Sequence, residues 1–221
     1  MRNLFVTGTD TGVGKTRVSA ALLRAAVARG RRAVGMKPVA SGCRATPQGL
    51  RSQDAEALLA AGNVAAAYDD VNPYAFLPPT APHLAAAMAG VSIDIERIRA
   101  AYRRLCADAG HVVVEGVGGW LVPIGANATM ADVVRALDLP VVLVVGMRLG
   151  CINHALLTAP AVQAAGCRLI GWVASHVDPE VPDGYLAALQ ERLPAPLVGS
   201  FRYGIGDAEA ANAIDLDSLG L

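Results

Sequence analysis

Gly8-Thr9-Asp10-Thr11-Gly12-Val13-Gly14-Lys15-Thr16 stands directly after a short β-rich run, Leu4 to Thr7, and opens onto a stretch of helical period. Glycines in such a loop let backbone N–H groups turn toward a phosphate, and the start of the following helix adds positive potential. Lys15 is placed to reach the outer phosphates and the Thr16 hydroxyl to ligate magnesium. The strict phosphate-loop pattern wants Gly five positions before Gly14, where this chain has Thr9 and sets its first Gly at position 8. The loop is therefore a variant of that pattern.

Further β-rich runs follow at Ala33 to Met36, Val112 to Val114, Val141 to Val145, Leu169 to Ala174 and, more weakly, Leu197 to Val198. They read as buried strands. Between them lie stretches of helical period, with Val18, Leu22 and Ala25 on one face and Arg24 and Arg29 near the C-terminal end, where cations suit the helix dipole. A second helix carries Ile95, Ile98, Tyr102 and Leu105 on one side and Arg97, Arg99, Arg103 and Arg104 mostly on the other. That basic face reads as solvated rather than as a nucleic-acid patch. The alternation predicts an α/β fold of P-loop NTPase type, a mainly parallel sheet flanked by helices, with residues 1–221 as one domain. Val39 to Pro82 is richer in Gly, Pro, Asn and Asp, which predicts loops and a short helix near Ser52 to Ala61.

Composition narrows the partners. Lys plus Arg and Asp plus Glu both number 19, so the formal net charge is 0, without the basic excess of general nucleic-acid binders. Charged residues make up only 17% and hydrophobic ones 53%, which points to burial in a core or a subunit interface. Cys43, Cys106, Cys151 and Cys167 have no C-x-x-C spacing and read as free thiols of a reducing cytosol. Met1, Arg2 and Asn3 precede an apolar stretch far below a signal peptide's roughly 7 to 15 residues, and the longest apolar run, Val141 to Met147, is far below the roughly 18 of a membrane span. The expected location is the cytoplasm.

A phosphate loop calls for a second acid at the end of a neighbouring strand. Glu115 fits, closing His111-Val112-Val113-Val114 before the loop Gly116-Val117-Gly118-Gly119; Asp54, early in the Ser52-Gln53-Asp54 helix start, is a second candidate. Only two of the 19 basic residues are lysines, Lys15 and Lys37. Lys37 follows the second strand in Gly35-Met36-Lys37-Pro38, and in a doubly wound sheet that sets a compact ammonium beside the phosphate loop. Ser41 and Gly42 follow in the same neighbourhood. His83, His111, His154 and His176 share no metal spacing, Trp120 and Trp172 read as core or interface, and Cys151 has no His partner for a nucleophile's role.

Three classes of phosphate-loop protein compete. The guanine-reading Asn-Lys-x-Asp of a GTPase is absent, and Asp10 occupies the position where partitioning ATPases carry a second lysine. That favours an enzyme that uses ATP to activate a small acid, with a regulatory ATPase as the alternative. The string Phe5 through Thr16, Lys37-Pro38-Val39-Ala40-Ser41-Gly42, Asn72-Pro73-Tyr74, Glu115-Gly116 with Gly118-Gly119-Trp120, and Gly150-Cys151-Ile152-Asn153-His154 together resemble the dethiobiotin synthetase family, in order over roughly the first 200 residues.

The resemblance implies ring closure of 7,8-diaminononanoate with CO2 to dethiobiotin, with ATP as co-substrate and Mg2+ as cofactor. Lys37 and Lys15 would be the catalytic cations. Thr16, Asp54 and Glu115 would hold magnesium. Gly12, Val13, Gly14, Lys15, Thr16, Arg17, Asp54, Glu115, Gly116, Gly118, Ser175 and His176 would bind the nucleotide. Thr11, Ser41, Gly150, Cys151, Asn153 and Tyr185 would bind the diamine, the Gly150 to Asn153 loop coming from the second subunit of a homodimer. Asn153 is expected to N-cap the helix that follows, forming an anion seat. Ser175 stands where the family shows Asn, which predicts relaxed nucleotide selectivity; the tail from Tyr203 to Leu221 also departs from the family. Replacing Lys37 by Ala is expected to destroy ring closure and leave the fold intact.

Overall fold

The apolar runs of the sequence become strands whose two faces are both covered. The computed structural model describes residues 3–220, so Met1 and Arg2 of the leader reading and Leu221 of the tail lie outside the described residues. In chain order, β1 (Leu4–Gly8) leads through the phosphate loop into α1 (Lys15–Ala28) and β2 (Ala33–Met36). The Gly/Pro-rich segment then holds β3 (Val39–Ala40), β4 (Arg44–Thr46), β5 (Gly49–Arg51), α2 (Gln53–Ala61), α3 (Tyr68–Val71), β6 (Tyr74–Ala75) and α4 (Pro82–Met88). After α5 (Ile95–Asp108) come β7 (His111–Glu115), α6 (Met130–Leu137), β8 (Val141–Met147), α7 (Cys151–Ala164) and β9 (Leu169–His176). The chain closes with α8 (Tyr185–Arg192), β10 (Leu197–Phe201) and α9 (Asp207–Asn212).

The central sheet has the order β10-β9-β8-β1-β7-β2, and every pairing in it is parallel. All residues of β1, β2, β7 and β8 are buried, as a parallel sheet with helices on both faces requires. Alternate side chains of β1 feed two cores. Phe5 joins Val34, Met36, Val114 and Ile98 on one face, while Leu4 and Val6 meet Val18, Leu22 and Leu23 of α1 on the other. After β1 the chain moves first toward β2 and β7 and later toward β8, so the sheet reverses direction beside β1. Such a switch point opens a crevice at the carboxyl ends of the strands.

Most expected elements form. The weakly signalled last strand is longer than its apolar residues suggest, because Gly199 and Ser200 continue the pairing after a register shift and Gly199 leaves room for the returning tail at Ala213. The Val39 to Pro82 segment is more ordered than expected, with two small strand pairs besides α2. The arginine face of α5 is tied down as well as solvated: Arg104 pairs with Asp70, Arg99 with Glu96, and Arg97 lies 4.7 Å over the Tyr74 ring. Arg24 of α1 and Arg29, which caps its end, pair with Asp207 and Asp217, docking a tail whose Ile205, Ala210, Ile214, Leu216 and Leu219 are buried. Trp120 and Trp172 are core residues.

A reciprocal cap starts α6. Asp132 Oδ2 accepts the Thr129 N–H at 2.7 Å and the Thr129 hydroxyl at 2.9 Å, and Arg135 pairs with its other oxygen. The Thr129 backbone bond, then the hydroxyl and Arg135, outweigh burial and hold the Asp132 carboxyl below the usual range. Stability from a depressed carboxyl is present above the unfolded pKa and is lost as pH falls through the folded one. Asp132→Ala is expected to lower the unfolding free energy by about 1 kcal/mol near neutrality. In urea denaturation the gap to wild type should narrow in acid; a pH-independent gap would count against this account of the cap.

Candidate active site

A cavity of about 780 Å³ lies at the carboxyl ends of β1, β2 and β7. Thr11, Gly12, Gly14, Lys15, Thr16, Lys37, Ser41, Asp54, Glu115 and Gly118 line it, so ten of the residues singled out in the sequence meet there. The rim adds Pro79 to Pro82, leading into the start of α4, and Val117, Val122 and Pro123 after β7. Sequence reading gave none of these rim residues a role in the site, although the run Pro78-Pro79-Thr80-Ala81-Pro82 is the stiff, hydrogen-bond-poor chain that suits a wall.

The charges at the floor are arranged by strand register. β2 and β7 pair with Met36 opposite Val114, so the next residues, Lys37 and Glu115, emerge side by side. Lys37 Nζ lies 2.6 Å from Glu115 Oε1, 2.8 Å from Asp54 Oδ2 and 2.9 Å from the Gly116 carbonyl oxygen. Lys37 is 3% exposed and Glu115 0%. The Lys37 backbone is fixed too: its N–H donates to Val71 O at 2.7 Å, and Asn72 Nδ2 donates to Lys37 O at 2.7 Å and Tyr74 O at 3.1 Å. That is the work of the Asn72-Pro73-Tyr74 motif. Thr16 Oγ1 donates to the shared Glu115 Oε1 at 2.9 Å, while the buried Glu115 Oε2 has no hydrogen-bond partner among the described residues.

The two lysines are tuned apart. Burial, then the Lys37 charge, lowers the Lys15 pKa to about 8 against the pull of Glu115, Asp54 and Asp10. Burial also acts to lower Lys37, but Glu115 and Asp54 outweigh it and hold its pKa above the ordinary lysine value. Asp54, which burial alone would push up, is held below the usual range by the Lys37 charge and hydrogen bond and by the Thr16 hydroxyl.

The phosphate loop leans on the other half of the sheet. Thr9 N–H donates to Val144 O at 3.0 Å, and Thr9 Oγ1 lies 3.5 Å from the Gly146 nitrogen. Thr9, the departure from the strict pattern, thus serves as a stitch to β8. Val13 is buried against Gly146, where an added Cβ would sit 2.7 Å from Val13 Cγ1. Gly14 adopts φ +91° at the start of α1, and a Cβ there would come within 2.5 Å of Ser175 Oγ. Ser175 is therefore packed against the loop and is 2% exposed, with His176 next to it at the end of β9.

Other expected site residues stand apart from the cavity. Arg17 points out from α1 and is exposed, and Gly116 lies just beyond the floor at the end of β7. Asn153 is not a helix N-cap: α7 begins at Cys151 with Gly150 as its cap at φ 92° and without a side-chain cap bond, so Asn153 is an exposed residue of the first turn. The left-handed turn at Gly150 starts the helix three residues earlier than the Asn signal suggests. Cys151 is buried at 1% exposure, and Tyr185 packs against the Trp172 and Leu189 cluster at the start of α8.

Comparison with known proteins gives this arrangement a family. A family profile described as an AAA domain matches residues 2–204. The ATP-dependent dethiobiotin synthetase BioD of Xanthomonas oryzae pv. oryzae (strain PXO99A) is 56% identical over 209 residues, 94% of this chain and 93% of that protein. The chain belongs to the dethiobiotin synthetase family. The synthetase of Xylella fastidiosa (strain Temecula1 / ATCC 700964) is 49% identical over 219 residues, 97% of each chain. Among solved structures, the MinC:MinD cell division complex of Aquifex aeolicus matches with a TM-score of 0.57 at 13% identity, over 96% of this chain and 86% of that one. MinD with Mg-ADP from Pyrococcus horikoshii OT3 matches at 0.53 and 14% identity, with the same shares covered. These likenesses show the fold alone, a phosphate-loop NTPase sheet, and give no weight to a regulatory output.

The buried pair changes the expected behaviour of Lys37→Ala. Removing the ammonium leaves Glu115 fully buried without its ion-pair partner, so the variant should lose about 3–5 kcal/mol of stability rather than keep an intact fold. Denaturant unfolding checks this, and adding Glu115→Gln should recover most of the loss. Wild-type stability in the single variant would show that Glu115 does not depend on Lys37.

Proposed function

We infer that the protein is an ATP-dependent dethiobiotin synthetase that closes 7,8-diaminononanoate and CO2 into a cyclic urea in biotin biosynthesis. The observation that carries this is the joining of family membership with two lysines and two acids around one cavity below the phosphate loop. One amine of the substrate adds to CO2 and loses a proton, giving a carbamate. A carbamate oxygen then attacks the γ-phosphorus, and ADP leaves. The second amine attacks the carbonyl of the resulting carbamic-phosphoric anhydride, expels phosphate and closes the ring.

Every intermediate is anionic, so electrostatic compensation and alignment are the main contribution of the protein. Lys15, at the start of α1, is placed for the outer phosphates; Lys37, held charged by two acids, is placed for the carbamate and the transferring phosphoryl group. Gly12, Val13, Gly14, Thr16, Arg17, Gly116, Gly118, Ser175 and His176 are assigned to the nucleotide, and Thr11 and Ser41 to the diamine. Thr16, Asp54 and Glu115 form a hard oxygen set suited to Mg2+, and the unpartnered Glu115 Oε2 is the kind of buried atom such an ion would satisfy. Bound there, the ion would screen the negative charge of the phosphates.

The diamine residues Gly150, Cys151 and Asn153 lie outside this cavity, which supports their service to a neighbouring copy in a homodimer; Tyr185, also outside it, is assigned to the substrate carboxylate. Leu149, Leu157 and Leu121 are 84%, 65% and 63% exposed and would be covered by that contact. Residues 1–221 act as one domain in this reading, working in the cytoplasm; no helix among the described residues is long and apolar enough to cross a membrane.

Purified protein given Mg-ATP and bicarbonate is expected to release phosphate only when 7,8-diaminononanoate is added, with dethiobiotin identified by mass. Phosphate release indifferent to the diamine would replace the ligase with a regulatory ATPase.

A further inference from the structure

An acid within a loop shaped to receive a polyphosphate is an electrostatic liability, and Asp10 is that acid. Its neighbours Thr11 and Gly12 line the cavity, whereas Asp10 does not. Its charge still reaches the Lys15 ammonium. Three contacts fix it. Asp10 Oδ1 accepts the Thr11 N–H at 2.7 Å, its backbone carbonyl accepts Lys15 Nζ at 2.8 Å, and Oδ2 accepts Arg148 Nη2 at 2.7 Å.

Arg148 belongs to none of the roles assigned so far. It follows β8 directly, on the strand that already holds the loop through Thr9 and carries Gly146 under Val13. The ion pair therefore continues the seam between loop and β8 outward from the buried stitch to the surface, where Arg148 and Asp10 are 40% and 48% exposed.

We propose that Arg148 is a positioning residue for nucleotide binding: its guanidinium neutralises Asp10 and holds the carboxylate on the β8 side of the loop, so the polyphosphate meets no uncompensated negative charge. Without Arg148, Asp10 would be free to turn toward the incoming phosphates, which would also compete with it for Lys15 and the Thr11 N–H. The inference rests on the reading of this loop as an ATP site and adds a residue that acts through Asp10.

The test is equilibrium binding of a fluorescent non-hydrolysable ATP analogue with Mg2+ to the full chain. Arg148→Gln should weaken binding about tenfold at low ionic strength, with the deficit shrinking as salt screens the half-exposed charge. Arg148→Lys should retain most of the affinity. Adding Asp10→Asn to Arg148→Gln should restore binding, because Asn keeps an oxygen for the Thr11 N–H and removes the charge. In turnover assays the single variant should raise KM for ATP and leave kcat nearly unchanged. Equal affinity of Arg148→Gln and wild type would overturn the proposal, as would a double variant no better than the single one, which would make Arg148 a mechanical prop. Failure of wild-type protein to bind the analogue would overturn the nucleotide reading itself, and this inference with it.

Discussion

The contact between the Lys37 ammonium and the Glu115 carboxylate is the constraint from which the rest of the site follows. Both groups are removed from water, and either one alone would cost several kcal/mol. Parallel pairing of β2 and β7 delivers them to adjacent positions, so a backbone register sets a side-chain distance of 2.6 Å. The third member, Asp54, comes from α2 and makes the Lys37 charge secure at neutral pH. The Gly/Pro-rich segment after β2 thereby gains a purpose in the fold: it carries α2 back to this pair, and Asn72 pins the Lys37 peptide while it does so.

The two halves of the sheet divide the work around β1. On one side β2 and β7 supply charge; on the other β8 and β9 supply support, with Gly146 under Val13 and Ser175 against Gly14. The phosphate loop is therefore bounded by packing rather than left to flexibility, which lowers the ordering cost of binding. Its dimensions are set by small residues on strands remote in sequence. A larger side chain at Gly14 or Gly146 would disturb the loop with no change in its charged groups.

Much of this was legible in the sequence because it follows from local pattern. Apolar runs of three to six residues, a glycine-rich turn and Lys-Thr at a helix start depend only on neighbours along the chain, and they located β1, α1, β2, β7, β8 and β9. The rarity of lysine marked Lys37 for a reason that the structure bears out in its burial. What escaped was whatever depends on chain crossings. The stitching role of Thr9, the contact between Ser175 and Gly14 and the Arg148 partner of Asp10 join residues more than a hundred positions apart. The start of α7 was misplaced because a left-handed glycine can begin a helix without a side-chain cap, leaving Asn153 with a signal it does not use. The walls at Pro79 to Pro82 and at Val117, Val122 and Pro123 were given no role, since such lining residues carry no chemical signature of their own.

An almost lysine-free composition also gives the molecule an unusual chemical surface. Lys15 and Lys37 are its only side-chain amines, and both line the cavity. Lys37 is locked as an ammonium between two carboxylates, but Lys15, with its pKa near 8, has roughly a tenth of its population as free amine at pH 7. Side-chain acylation or carbamylation by amine-directed electrophiles that leave arginine untouched can therefore land only in the cavity. Occupancy of the cavity thereby becomes readable as protection of the Lys15 side chain, without any engineered label.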